Sequence, residues 1–229
     1  MVDWERTWRG SGVIFAVAFI IGWIIYGSQP NVGASADEVV SFYDGDRTRV
    51  LIAATLLAFN VLNLMWFAAA LSSVLRDAGK GGWGVAATAS SAALGAVLFV
   101  LYTLNLTLAY SVAGSGNTQI ASGLNDLSWI LTITASFPAA MLVMSGSFGL
   151  WRAGIISSGP FLAGVTAMAL ILLRATTWAG DGFWAPDGAY SQYISTGVAL
   201  AWVAVVSGFL YMRSPTAATT RDRAPVPAA

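Results

Sequence analysis

Apolar residues fall into six long runs divided by short polar joints, at positions 12–26, 50–75, 84–110, 124–150, 156–178 and 193–212. A helix that crosses the hydrocarbon of a bilayer takes about 20 mostly apolar residues. Five of the runs reach that length, and the first is short but almost wholly apolar. The pattern predicts an all-α, polytopic membrane bundle with six transmembrane helices. It forms one domain over 1–212, followed by a tail at 213–229 whose Pro, Ala and Thr content predicts disorder.

The joints carry their own signals. Ser35 followed by Glu38 matches a capping box, so a short helix is expected over 36–43 in the first loop. That helix is either interfacial or a capped connector that keeps Phe42 and Tyr43 from water; its small apolar area favours the connector. The loop at 111–119 is small and Gly-rich. The loop at 180–192 carries Phe183, Trp184 and Tyr190, as an interfacial aromatic belt does. Small residues at four-residue spacing predict close helix packing: Ala87, Ser91 and Gly95; Gly159, Ala163 and Ala167; Ala204 and Gly208. Pro138 is expected to kink the fourth run or to free a carbonyl near Thr134. The two halves of the chain show no internal similarity of the kind many transporters carry.

Composition removes several classes of function. The chain is 57% hydrophobic and 10% charged, with a mean hydropathy of +0.70, which leaves no room for a separate soluble domain. Its formal net charge of zero argues against nucleic acid as a partner. With neither Cys nor His, disulfides, thiolate nucleophiles and the commonest metal and haem ligand are absent. No metal-ligand spacing, no nucleophile beside a base and no phosphate-binding loop occurs, so no cofactor and no enzymatic activity is expected.

Charge also predicts orientation. With an interior N-terminus, the inner side holds eight Lys and Arg residues (Arg6, Arg9, Arg76, Lys80, Arg152, Arg213, Arg221, Arg223) and the outer side Arg47 and Arg49. That asymmetry places both termini in the cytoplasm. Arg6 and Arg9 before an apolar run, with Ala34-Ser35-Ala36 beyond it, also fit a cleaved signal peptide. The distance from Tyr26 to that site and the anchoring aromatics Trp23 and Tyr26 favour an uncleaved first helix. The preponderance of Arg over Lys and the abundance of Ala suggest a GC-rich bacterial source and hence a bacterial cytoplasmic membrane.

Few side chains can carry chemistry inside the hydrocarbon. Arg174 sits about 6 Å below the outer end of the fifth run at 1.5 Å per residue, and Asp126 lies at similar depth in the fourth. The two are candidates for a pair in a ligand or ion path, or separately for snorkelling and for a helix-terminus charge. Asn60 and Asn63 share a face in the second run, and Asn105 lies between Thr103 and Thr107 in the third. Such amides either line a cavity or bond across helices. Arg49, near Asp44 and Asp46, is either neutralised locally or meets an anionic ligand. If the helices converge, Arg49, Asn105, Asp126, Trp129, Arg174 and Trp178 frame a cleft open to the outer face. The candidate ligand-binding residues are therefore Arg49, Asn60, Asn63, Asn105, Asp126 and Arg174.

Arg-flanked first run, Phe42-Tyr43 with Arg47 downstream, and a second run ending Leu75-Arg76 together resemble a group of bacterial six-span integral membrane proteins of unknown function. The resemblance implies the architecture and no activity. Two functions fit these residues: a binding or transport protein for a small molecule or lipid, or a non-catalytic accessory subunit with a membrane-protein partner or a second copy of itself.

Overall fold

The computed structural model describes residues 4–213, and among these it is helical with no strand. Six helices are long and apolar enough to cross a membrane: Thr7–Tyr26, Arg47–Asp77, Gly81–Ser115, Thr118–Arg152, Ser158–Thr176 and Tyr190–Met212. Both ends of the described residues lie on one face of the bundle, the terminal face, where Arg9 donates to the Arg213 carbonyl at 3.0 Å; the opposite one is the far face. The predicted tail lies outside the described residues from 214 onward.

The bundle is apolar on its outside. Phe59, Val85 and Val205 are each about two-thirds exposed, and Ile14, Val17, Ile21 and Ile24 run along the outer side of the first helix. A water-soluble fold would bury such faces. Here they suit hydrocarbon, which also explains why every long element is a helix: each backbone N–H and C=O is satisfied within its own segment.

Packing depends on small residues and a few hydroxyls. Ser207 of the sixth span accepts hydrogen bonds from the backbone N–H groups of Gly12 and Val13 at 3.1 and 3.2 Å and donates to the Arg9 carbonyl. A Cβ on Gly12 would stand 2.7 Å from that of Ser207, so only glycine allows this approach. The third span uses its predicted face: Ala87, Ser91 and Gly95 are buried, and Ser91 donates to the Leu64 carbonyl of the second span at 3.4 Å. The other two predicted faces are displaced. In the fifth span Ala167 is buried in the core as expected, but Gly159 and Ala163 are exposed, and Gly164 makes the close contact, against Ser147. In the sixth, open space surrounds Gly208 while the neighbouring Ser207 does the packing.

Helix ends follow local chemistry. The third span tightens into a last turn at Ala113–Ser115 and stops at Gly116 (φ +79°); Asn117 then caps the fourth, accepting from the Ile120 N–H at 3.3 Å. The expected loop at 111–119 thus shrinks to a tight connection. The fourth span is two helices, Thr118–Thr134 and Ser136–Arg152, broken at Ala135 one turn before Pro138. In the first loop Ser35 caps a helix over Ala36–Val40, continued by a wider π-type turn over Ser41–Gly45. Val39, Phe42 and Tyr43 are buried there against Leu108, Ala109 and Ala121, so the segment is a capped connector packed on the bundle.

Gly12→Leu is expected to destabilise the protein by about 1–3 kcal/mol, the range for overpacking a tight contact. Thermal unfolding of the purified protein in detergent checks this, with Gly208→Leu, which enters open space, as the control that leaves the midpoint within a degree or two.

Candidate functional site: a chamber in the far half of the bundle

All six spans leave a cavity of about 610 Å³ between them. Its floor is apolar, set by Phe15, Leu64, Leu94, Leu142 and Val143. Toward the far face the lining becomes polar: Gln29, Asn31, Asn105, Arg174 and Gln192. The volume lies in the range of small-molecule sites. Wide π-type turning at Tyr190–Ser195, where the sixth span begins, brings Gln192, Tyr193 and Ser195 onto the wall.

Two polar atoms of this lining are buried without a hydrogen-bond partner: Oδ1 of Asn105 and Nε of Arg174. Asn105 as a whole is 4% exposed. Arg174 stands where the fifth helix tightens into its last turn over Arg174–Thr176, and its Nη1 donates to Thr196 Oγ1 at 3.2 Å. Thr196 in turn donates to the Ser191 carbonyl at 3.0 Å, which fixes its oxygen toward the guanidinium. Among the described residues no carboxylate pairs with Arg174, and the ion pair seen is Arg49–Asp46 at 2.6 Å. Asn105 and Arg174 both belong to the lining of one cavity, and a ligand that reached either open atom would satisfy it.

The other sequence candidates stand elsewhere. Asn60 donates to the Phe15 carbonyl at 2.8 Å and accepts from Asn63 at 3.1 Å, so this pair ties the second span to the first. Asp126 accepts from the Gly33 N–H at 3.0 Å and holds the first loop. Arg49 is engaged by Asp46, lies over the Phe42 ring, and reaches within 3.3 Å of where a Cβ on Gly27 would stand. Gly27 needs its freedom there, since its φ is +81°. Trp178 is exposed, its Nε1 donating to the Ala175 carbonyl. Of the predicted cleft, the chamber lining brings together Asn105, Trp129 and Arg174.

The first loop, which sequence reasoning treated as a surface connector, roofs the chamber: Gly27, Ser28, Gln29 and Asn31 line it. The fully buried amide of Asn125 holds this roof, donating to the carbonyls of Pro30 and Asn31 at 3.2 Å each and accepting from Gln29 at 3.1 Å. Trp129 Nε1 adds a bond to the Pro30 carbonyl at 2.8 Å. Tyr43 joins the same network, with its hydroxyl 3.4 Å from Asn125 Oδ1 and 3.3 Å from that of Tyr26. Burial pushes the Tyr43 phenol above its ordinary value of 10, while hydrogen bonds from Tyr26 and Ser128 pull the other way. The third loop is tied in as well, because Asp187 accepts from the Val32 N–H at 3.0 Å. No motif announces these contacts; the one available sign is an amide directly beside Asp126 at the start of a span.

Among the described residues no cluster of three or more His, Cys, Asp or Glu side chains can hold a metal. No family model, curated protein or solved structure matches the chain.

Asn125→Ala is expected to loosen the roof, since it removes the hydrogen bonds to Gln29, Pro30 and Asn31, at about 0.5–1.5 kcal/mol each. Hydrogen exchange of the amides in 27–34 reads the change as faster exchange confined to that loop. As a raised phenol, Tyr43 contributes stability intact below pH 10 and lost as pH rises beyond it. Tyr43→Phe is therefore expected to make the alkaline fall in melting temperature shallower.

Proposed function

We propose that the protein is a multi-pass protein of a bacterial cytoplasmic membrane that binds, and through binding carries or presents, a small molecule or lipid in its chamber. The observation that carries the reading is the pairing of a sizeable cavity with two unpartnered polar groups, Asn105 Oδ1 and Arg174 Nε, on its wall. A binding role accounts for both features. Catalysis would require a reactive group in the lining, and neither a nucleophile with a base nor a pair of carboxylates lies there. Among the described residues, Arg9, Arg76, Lys80, Arg152 and Arg213 near the terminal face against Arg47 and Arg49 near the far face favour cytoplasmic termini and an outward polar end of the chamber.

A second reading, an accessory subunit of a membrane complex, draws on the fifth span. Only 17% of its apolar window is buried, and Gly159 and Ala163 face outward. A partner helix could approach closely along that side.

Orientation is tested by single-cysteine labelling, clean in a chain without Cys: a membrane-impermeant maleimide is expected to reach Gly116→Cys and not Gly82→Cys in intact cells. Function is tested by native mass spectrometry of gently extracted protein. The expected result is a retained small molecule or lipid whose occupancy falls about tenfold or more in Asn105→Leu, as follows when a hydrogen bond worth about 1.4 kcal/mol is lost. An empty chamber together with a stoichiometric protein partner would replace this reading with the second.

A further inference from the structure

The chamber is roofed at the far face yet open at its side. Ile24 is 68% exposed, Tyr193 57% and Trp23 39%, and all three also line the chamber. A residue that is on the outer surface and on the cavity wall at once marks an opening; these three belong to the first and sixth spans, while Ser28 and Asn31 mark a second one in the first loop. A second, shallower cavity of about 540 Å³ continues the chamber outward through the same seam, sharing Phe19, Trp23, Tyr193, Thr196 and Leu200 with it. Ala16, Gly197, Ala201 and Ala204 complete its wall, so the groove exists because the facing side chains are small.

The seam is bonded at one end only. Toward the terminal face the Ser207 hydroxyl clamps the two helices at Gly12 and Val13. Toward the far face the contact is a ring pair, Trp23 edge-on to Tyr193, with centroids 5.5 Å apart. A ring pair of this kind is worth about 0.5–1.5 kcal/mol, a small barrier compared with the hydrogen-bonded end. The outer side of this seam faces the surroundings of the first span, with Val17 and Ile20 on the groove wall, a surface that suits hydrocarbon and not water.

We propose that the occupant is a single-chain acidic amphiphile that enters sideways from the bilayer between the first and sixth spans, with the Trp23–Tyr193 pair as the gate. The inference rests on the chamber reading above and adds the ligand class and the route. Its acidic head meets the guanidinium of Arg174, a cationic group of the lining that pairs with no carboxylate among the described residues. Asn105 Oδ1, an acceptor, takes a hydrogen bond only from a head that also carries an O–H or N–H. The chain lies among Phe15, Leu64, Leu94, Leu142 and Val143, at the apolar end of the chamber. A lipid-borne acid reaches the groove without leaving hydrocarbon, past Val17 and Ile20 on the groove wall.

The test uses the full-length protein in phosphatidylcholine vesicles with palmitic acid bearing a diazirine near its chain end, and the matching alcohol as the uncharged control. After photolysis, peptide mapping is expected to find the acid attached to chamber residues. Labelling by the acid should exceed that by the alcohol about tenfold or more, the scale of one charge-assisted bond. Arg174→Gln should erase that preference and Arg174→Lys should keep part of it, which separates charge from misfolding. A Trp23→Cys/Tyr193→Cys pair bridged by a short bis-maleimide should cut chamber labelling about tenfold or more relative to the unbridged pair, a factor equivalent to ~1.4 kcal/mol. Equal labelling by acid and alcohol overturns the ligand class while leaving the chamber reading in place. Undiminished labelling after bridging overturns the route, and failure of both probes to reach any chamber residue overturns the chamber reading itself.

Discussion

Helices surrounded by hydrocarbon gain nothing from hiding apolar side chains from one another, because lipid is as apolar as they are. Association therefore rests on shape and on the few hydrogen bonds that cross between spans, and the fold is decided by where those occur. Ser207 on the backbone of Gly12, Asn60 on the Phe15 carbonyl and Ser91 on the Leu64 carbonyl fasten the first, second, third and sixth spans together from their middles toward the terminal face. Trp202 adds a bond to Ser147 at 3.0 Å that joins the sixth span to the fourth. In the far half polar contacts run to the loops as well as between the fifth and sixth spans, at Arg174–Thr196 and Tyr190–Leu170, and the helices stand apart around a chamber.

That division explains what could be read from the sequence. Hydropathy marks each span because crossing hydrocarbon constrains every residue along it, and Asn117 and Gly116 adjust only the boundaries. The site was legible in part. Asn60 and Asn105 are both amides deep in apolar runs, and nothing local distinguishes them. Asn60 meets a carbonyl from a neighbouring helix, while the Asn105 oxygen meets none; the difference depends on how the third span is rotated against its neighbours. Small-residue spacing failed in the fifth span for the same reason, since Gly159 and Gly164 are both available and rotation selects the second. The roof was invisible because Asn125 binds Pro30 and Asn31 across about ninety residues of chain.

Asp126 and Arg174 are instructive as a pair that does not form. Equal depth in alternating spans permits a salt bridge, and the low dielectric makes one attractive on paper. Yet Asp126 sits at the level of the roof and serves Gly33, and Arg174 turns inward to Thr196. Each charge is held by neutral partners, which leaves the guanidinium with unspent donor capacity on the chamber side.

An open donor and an open acceptor inside a protein carry a penalty of about 1–3 kcal/mol each, a noticeable share of a typical folding free energy. A fold under no other demand could remove it with one apolar substitution at each position. Retaining both groups on the wall of the same cavity ties stability to occupancy: whatever satisfies Arg174 and Asn105 also stabilises the folded bundle by mass action. The Ser207 clamp and the Asn125 roof then have complementary effects. One keeps the terminal half of the seam shut, the other keeps the polar end covered, and the freedom that remains in the far half is concentrated at the Trp23–Tyr193 contact. Rigidity elsewhere is what gives that one weak contact its control over access to the chamber.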